Sequence, residues 1–372
     1  MLNTYLSYQL INRDIDRSID RIGKQPLVDR ETKYYLDNIT KVKTVDDFVS
    51  DSRLFKYAMK AFGLGDMDYA KAFMAKALKE GVEDPDSFAN KLSDKRYAEF
   101  VRTFNFAKLG DAATVYVKAQ QQTTENYALQ AAINGTDADT VKTETAYYTA
   151  NIGKVKSIDD LMSNSRLYAY AMTAYGLDAS IDNTDMMRKV LEGGVRDPDS
   201  YANKMTDKRY AAFAGAFNFE AYGDKATTYN PVLQPVADKF MRQTLEEDAG
   251  QSNEGVRLAL YFQRKAPALT NWYEVLADKA LASVVRTAFG LPDSFAAADI
   301  DKQVQLFERR MDIADFADPQ KLEKFITRFT SLYEISNPTS PAMTSVSVLF
   351  AQPAEVGVST DLLMAMQQLK PV

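Results

Sequence analysis

One polar string occurs twice in this chain with little change. DPDSFANKLSDKRYAEFVRTFNF, from Asp84 to Phe106, returns as DPDSYANKMTDKRYAAFAGAFNF, from Asp197 to Phe219, an offset of 113 residues. The same offset lays YYLDNITKVKTVDDFVSDSRLFKYAMKAFGL, from Tyr34, onto YYTANIGKVKSIDDLMSNSRLYAYAMTAYGL, from Tyr147. One gapless register therefore carries Tyr34 to Asp111 onto Tyr147 to Asp224, with about half the positions identical and most others exchanged within the apolar class. It reaches into the connector, where ENYALQ (Glu125 to Gln130) falls on DKFMRQ (Asp238 to Gln243). A chain that repeats itself this closely has to build one module twice.

A third, eroded copy follows. NWYEVLADKALASVVRTAFGLPDS, from Asn271, fits on TVDDFVSDSRLFKYAMKAFGLGDM, from Thr44, and DPQKLEKFITRF, from Asp318, stands where the DPDS segment would end. This copy keeps the apolar frame and loses the Asp pair and the DKR string. The unit is longer than the roughly 20 to 50 residues of solenoid repeats, so tandem helical modules are expected. Within a module, Phe48, Leu54, Phe55, Ala58, Met59 and Phe62 recur three and four apart, and Gly63 stands where a helix would end. Strand alternation is missing, and Asn134-Gly135 reads as a turn between helices. The expected fold is all-α, with an amphipathic arm over 1–33, modules over 34–146 and 147–253, a diverged module over 254–336, and a linker with an amphipathic helix over 337–372.

The repeated string reads as helix punctuation. Asp84 and Asp197, each followed by proline, and Ser93 and Thr206 are expected to cap helices; Thr44 and Ser157 do so before Asp46-Asp47 and Asp159-Asp160. Arg53, Arg166, Lys91, Lys204, Arg96 and Arg209 have acidic neighbours and are read as ion-pair or carbonyl-capping partners. The paired carboxylates could suggest acid-base work, but adjacent helical residues point about 100° apart and do not face each other across one bond. DADTVKTET, from Asp137, lacks the Gly and the final acid of a calcium-binding EF-hand loop, and no phosphate-binding glycine motif is present.

Composition narrows the chemistry further. The chain has no Cys and no His, which removes thiolate and imidazole nucleophiles, the common zinc sites and His-based pH switching. Its net charge of -6 arises from interspersed acids and bases, so no basic stripe is available for nucleic acid. No window approaches the roughly 18 apolar residues of a membrane span. The N-terminus lacks the apolar region of a secretory signal, so the expected location is cytoplasmic, or outside the cytoplasm by export without a cleaved signal peptide. The termini carry the candidate partner-binding residues: Ile11, Ile15, Ile19 and Ile22 make one stripe opposite charges of alternating sign, and Leu362, Met366 and Leu369 make another.

At QPLVDRETKYYLDNITKVKTVDDF, DPDSFANKLSDKRY and the AFGL helix ends, and from the SYQLINRDIDRSIDR arm to the terminal DLLMAMQQLK, the chain resembles the bacterial domain of unknown function numbered 1217. The resemblance implies a gene that often lies within flagellar operons; it implies no activity, cofactor or catalytic residue. The expected function is a non-enzymatic structural or assembly protein of the bacterial flagellum, acting through protein partners, with no catalytic, metal or cofactor site. The alternative is a cytoplasmic helical adaptor or small-ligand binder unrelated to the filament.

Overall fold

The computed structural model describes residues 3–179 and 182–337, and every regular element among them is a helix. Each module opens with a helix that buries one aromatic ring completely: Pro26–Asn38 buries Tyr35, Ala138–Ile152 buries Tyr148, and Glu254–Lys265 buries Phe262. A short helix follows, Val45–Ser50, Ile158–Ser163 or Trp272–Ala277. Its start is closed reciprocally. Thr44 accepts from the Asp47 N–H at 3.0 Å while Asp47 accepts from the Thr44 N–H at 3.0 Å, and Ser157 and Asp160 repeat the pair at 3.0 and 3.1 Å. In the third module Asn271 accepts from the Glu274 N–H and Glu274 reaches back to the Thr270 N–H, both at 3.0 Å. Each such cap contributes about 1 kcal/mol.

The next helix forms the centre of its module: Ser52–Ala61, Ser165–Ala174 or Lys279–Ala288, capped by Asp51, Asn164 and Asp278. A tyrosine from the opening helix donates to the same cap residue in all three, Tyr34 to Asp51 at 2.9 Å, Tyr147 to Asn164 at 3.4 Å and Tyr261 to Asp278 at 2.5 Å. Chain reversal after this helix needs a left-handed residue, which glycine adopts without a Cβ clash. Gly63, Gly176 and Gly290 supply it with φ of 71°, 68° and 66°. An arginine then satisfies a carbonyl at each helix end: Arg96 donates to Gly63 O at 2.5 Å, Arg209 to Gly176 O, and Arg310 to Phe289 O at 2.5 Å. The third module has no DKR string, yet it keeps the arginine by placing it in the last turn of Ile300–Arg310.

Four expected caps lie elsewhere. Asp84 and Asp197 close turns instead of starting helices: their carboxylates accept from the N–H of Asp86 and Asp199, both at 2.8 Å, and their carbonyls from Ser87 and Ser200, both at 3.0 Å. The short helices Phe88–Lys91 and Tyr201–Lys204 begin after Ser87 and Ser200. Proline's fixed φ suits the second position of a turn as well as the first position of a helix, so DPDS reads alike in both. Ser93 and Thr206 do not cap either; Asp94 and Asp207, one residue later, accept from the N–H of Arg96 and Arg209 at 3.0 Å. A carboxylate is the stronger acceptor and takes the position.

The chain divides into two compact units that cut across the boundaries read from the sequence. The central unit, Asp29–Phe240, holds the first module and the second as far as Phe240; among the described residues the terminal unit joins 3–28 to 241–337. Inside the central unit the modules exchange their trailing segments. Tyr148 of the second donates to Ala119 O of the first at 2.6 Å, and Tyr35 of the first donates to Val232 O of the second at 2.7 Å. Tyr127 stacks on Tyr170 at 3.8 Å, and its counterpart Phe240 stacks on Tyr57 at 3.8 Å. Each half of this unit is therefore completed by the other module's tail, in a reciprocal arrangement related by the 113-residue offset.

In the terminal unit Trp272, Phe289, Phe307 and Phe316 form an aromatic core. The N-terminal arm belongs to this core. It is two helices, Thr4–Asn12 and Ile15–Gly23, because Asp14 leaves helical geometry and caps the second by accepting from the Arg17 N–H at 3.2 Å. Ile11 and Ile15 pack against the core with Tyr8, Ile22 is buried and Ile19 half-buried, so the isoleucine stripe faces inward instead of presenting itself to a partner. Leu362, Met366 and Leu369 lie outside the described residues.

Candidate functional site

The start of the arm is anchored from two sides. Thr4, fully buried, donates its N–H to Glu334 Oε2 at 2.8 Å and its hydroxyl to the same oxygen at 2.5 Å, while Asn253 Nδ2 donates to Thr4 Oγ1 at 3.0 Å. Gln263 donates to Asn12 at 2.6 Å at the other end of the same helix. A carboxylate at the first turn also meets the positive end of the helix dipole. With its inner face held, the helix leaves Leu6 and Leu10, one turn apart, 47% and 60% exposed.

The repeated polar residues hold geometry. Arg53 grips Glu31 through two nitrogens at 2.6 and 3.1 Å and lies over the Tyr34 ring, and Arg166 repeats this with Glu144, both at 3.0 Å, over Tyr147. The Arg53 guanidinium holds the Glu31 carboxyl below its usual range. Neighbouring acids of the DD pairs go separate ways. Asp47 turns back to the cap, and its bond from Thr44 lowers its pKa, whereas Asp46 faces Lys79 at 2.9 Å. Asp160 and Asp159 divide likewise, the latter meeting Arg188 at 2.6 Å. Lys91 and Lys204 pair with Asp86 and Asp199 at 3.4 and 3.2 Å on the open surface, where such bridges contribute little. No cluster of three or more carboxylates placed to hold a metal occurs among the described residues.

A cleft of about 530 Å³ opens between the two modules of the central unit. Both modules line it with residues of the same register: Arg102 and its repeat counterpart Gly215, Tyr116 and Tyr229, and Lys118 and Pro231. The substitutions make the two contributions unlike: the first module's sequence supplies Arg102, Lys108 and Lys118, the second's a pair of stacked rings, Tyr222 and Tyr229, 3.5 Å apart at 11°. Burial raises the Tyr116 and Tyr229 hydroxyls above their ordinary pKa, so both remain neutral near pH 7. This cleft is assembled from segments that lie about a hundred residues apart in the chain. Its one linear trace is the set of positions where an otherwise matched register exchanges a cation for Gly or Pro.

The model of a protein family of unknown function, DUF1217, matches residues 61–181 and 174–322, two matches whose starts differ by the repeat offset. A protein from Agrobacterium tumefaciens, known from an X-ray crystal structure, is 35% identical over 90% of this chain and 94% of its own, with a TM-score of 0.56. No curated protein matches.

Proposed function

The chain belongs to the family of unknown function DUF1217, and on that footing we propose that it is a non-enzymatic structural or assembly protein acting through protein-protein contacts at the bacterial flagellum. The observation that carries the reading is the outer face of the first helix: Leu6 and Leu10 stand exposed one turn apart on a backbone pinned at both ends, an anchored apolar ridge of the kind that enters a partner's groove. The flagellar part rests on the family resemblance, whose genes often lie in flagellar operons. Consistent with a scaffold, the repeated Asp and Arg residues are engaged at helix ends and in ion pairs. No helix among the described residues is long and apolar enough to cross a membrane.

The test is a tagged chain followed into basal-body fractions, beside motility of a strain carrying Leu6→Asp with Leu10→Asp. The expected outcome is co-fractionation with basal bodies and impaired motility at unchanged melting temperature. A tagged chain absent from basal bodies, in cells whose motility survives deletion of the gene, would refute it. The second reading, a cytoplasmic adaptor or small-ligand binder unrelated to the filament, draws on the inter-module cleft.

A further inference from the structure

We propose that the cleft between the first two modules binds a small organic anion carrying a flat aromatic ring. The inference is independent of any flagellar role. The chain as a whole is acidic, at -6, yet the residues lining the cleft include Arg102, Lys108 and Lys118 and no carboxylate. All three cations belong to the first module's sequence, Lys118 in the tail that packs on the second. Lys108 shares its charge with Glu83 at 3.4 Å, which leaves Arg102 and Lys118 as the principal counter-charges for a ligand. The second module's sequence adds an aromatic platform, Tyr222 on Tyr229, with Ala226 and Pro231 also lining the cleft. A ligand that engages both features has an anionic end and an apolar, planar end; a bare inorganic anion would leave the rings unused, and a neutral hydrocarbon would leave the cations to solvent. The volume, about 530 Å³, falls in the range of small-molecule sites.

The repeat supplies an internal control for the chemistry. At the second module's equivalents of Arg102, Lys108 and Lys118 stand Gly215, Ala221 and Pro231, so the scaffold does not require cations at these positions. Their side chains are exposed, and neutralising them leaves the packing intact.

The experiment is isothermal titration calorimetry of the full chain with 2-naphthoate, beside 2-naphthalenemethanol, the same ring without the charge. One saturable site for 2-naphthoate is expected, with the alcohol bound at least about tenfold more weakly. Arg102→Ala with Lys118→Ala should weaken 2-naphthoate by about tenfold at unchanged melting temperature. Tyr229→Leu, a second and separate variant, should weaken both probes alike. The proposal is overturned if 2-naphthoate shows no saturable binding at millimolar concentration, if both probes bind equally, or if the double variant binds as well as the parent.

Discussion

Replacing Glu334 by Ala removes the anchor of the arm, and the cost can be worked from its surroundings. Glu334 is 5% exposed and accepts both the N–H and the hydroxyl of Thr4, itself fully buried. Hydrogen bonds to a charged acceptor contribute roughly 1.5–3 kcal/mol each, and a buried donor left without an acceptor forfeits its hydration besides. Against this stands relief from holding a carboxylate away from water. The net is a loss of about 3 kcal/mol, which for a unit of this size is about 12 °C in melting temperature. The assay follows from composition: Trp272 is the single tryptophan, lies in the terminal core at 3% exposure, and reports that unit alone. Its fluorescence transition should fall by that amount in Glu334→Ala, while the part of the far-UV circular dichroism transition owed to the central unit stays in place. Glu334→Gln keeps one oxygen acceptor and should lose about half as much. A Trp272 transition lowered by less than about 1 kcal/mol in the Ala variant would refute the assignment of Glu334 as the anchor.

The exchanged tails give a prediction at high pH. Burial raises Tyr35 and Tyr148 well above the ordinary tyrosine value. Because the folded value lies above the unfolded one, their stabilisation is complete below about pH 10 and is lost as pH rises beyond it. Urea midpoints should therefore fall above about pH 10, and Tyr35→Phe with Tyr148→Phe should flatten that fall, while losing about 1 kcal/mol per hydroxyl at neutral pH; an unaltered alkaline slope would count against it. Two glycines with positive φ differ in what a side chain would meet. Gly290→Ala meets nothing within 4 Å, so only its φ of 66° opposes the change and about 1 kcal/mol is expected. Gly194→Ala adds to its φ of 56° and ψ of -152°, a region glycine alone adopts readily, a contact at 2.8 Å with Glu220 Cβ, and should cost about twice as much in urea denaturation; equal losses would contradict the geometry.

What was legible in the sequence is what local chemistry decides. The caps at Thr44 and Ser157 involve residues three apart, and the glycines at 63, 176 and 290 answer a backbone demand within one turn. Such features leave a linear signature, and the gapless register showed that it was written twice. Even here DPDS was ambiguous, since a turn and a helix start ask the same of Asp and Pro. Tertiary structure decided which surfaces meet. Nothing in the spacing of Tyr57 and Phe240 indicates that they stack, nor that the second module's tail returns to complete the first. The isoleucines at 11, 15 and 22 make an apolar stripe whether the stripe meets a partner or its own core; the destination depends on a buried carboxylate more than three hundred residues away. The cleft walls likewise diverge at positions distant in the chain, and the arginine lost with the DKR string was replaced by Arg310 from another helix. The reason is physical: a helix end is set by hydrogen-bond partners a few residues apart, whereas the choice among apolar faces is made by shape and charge complementarity between segments that only folding brings together.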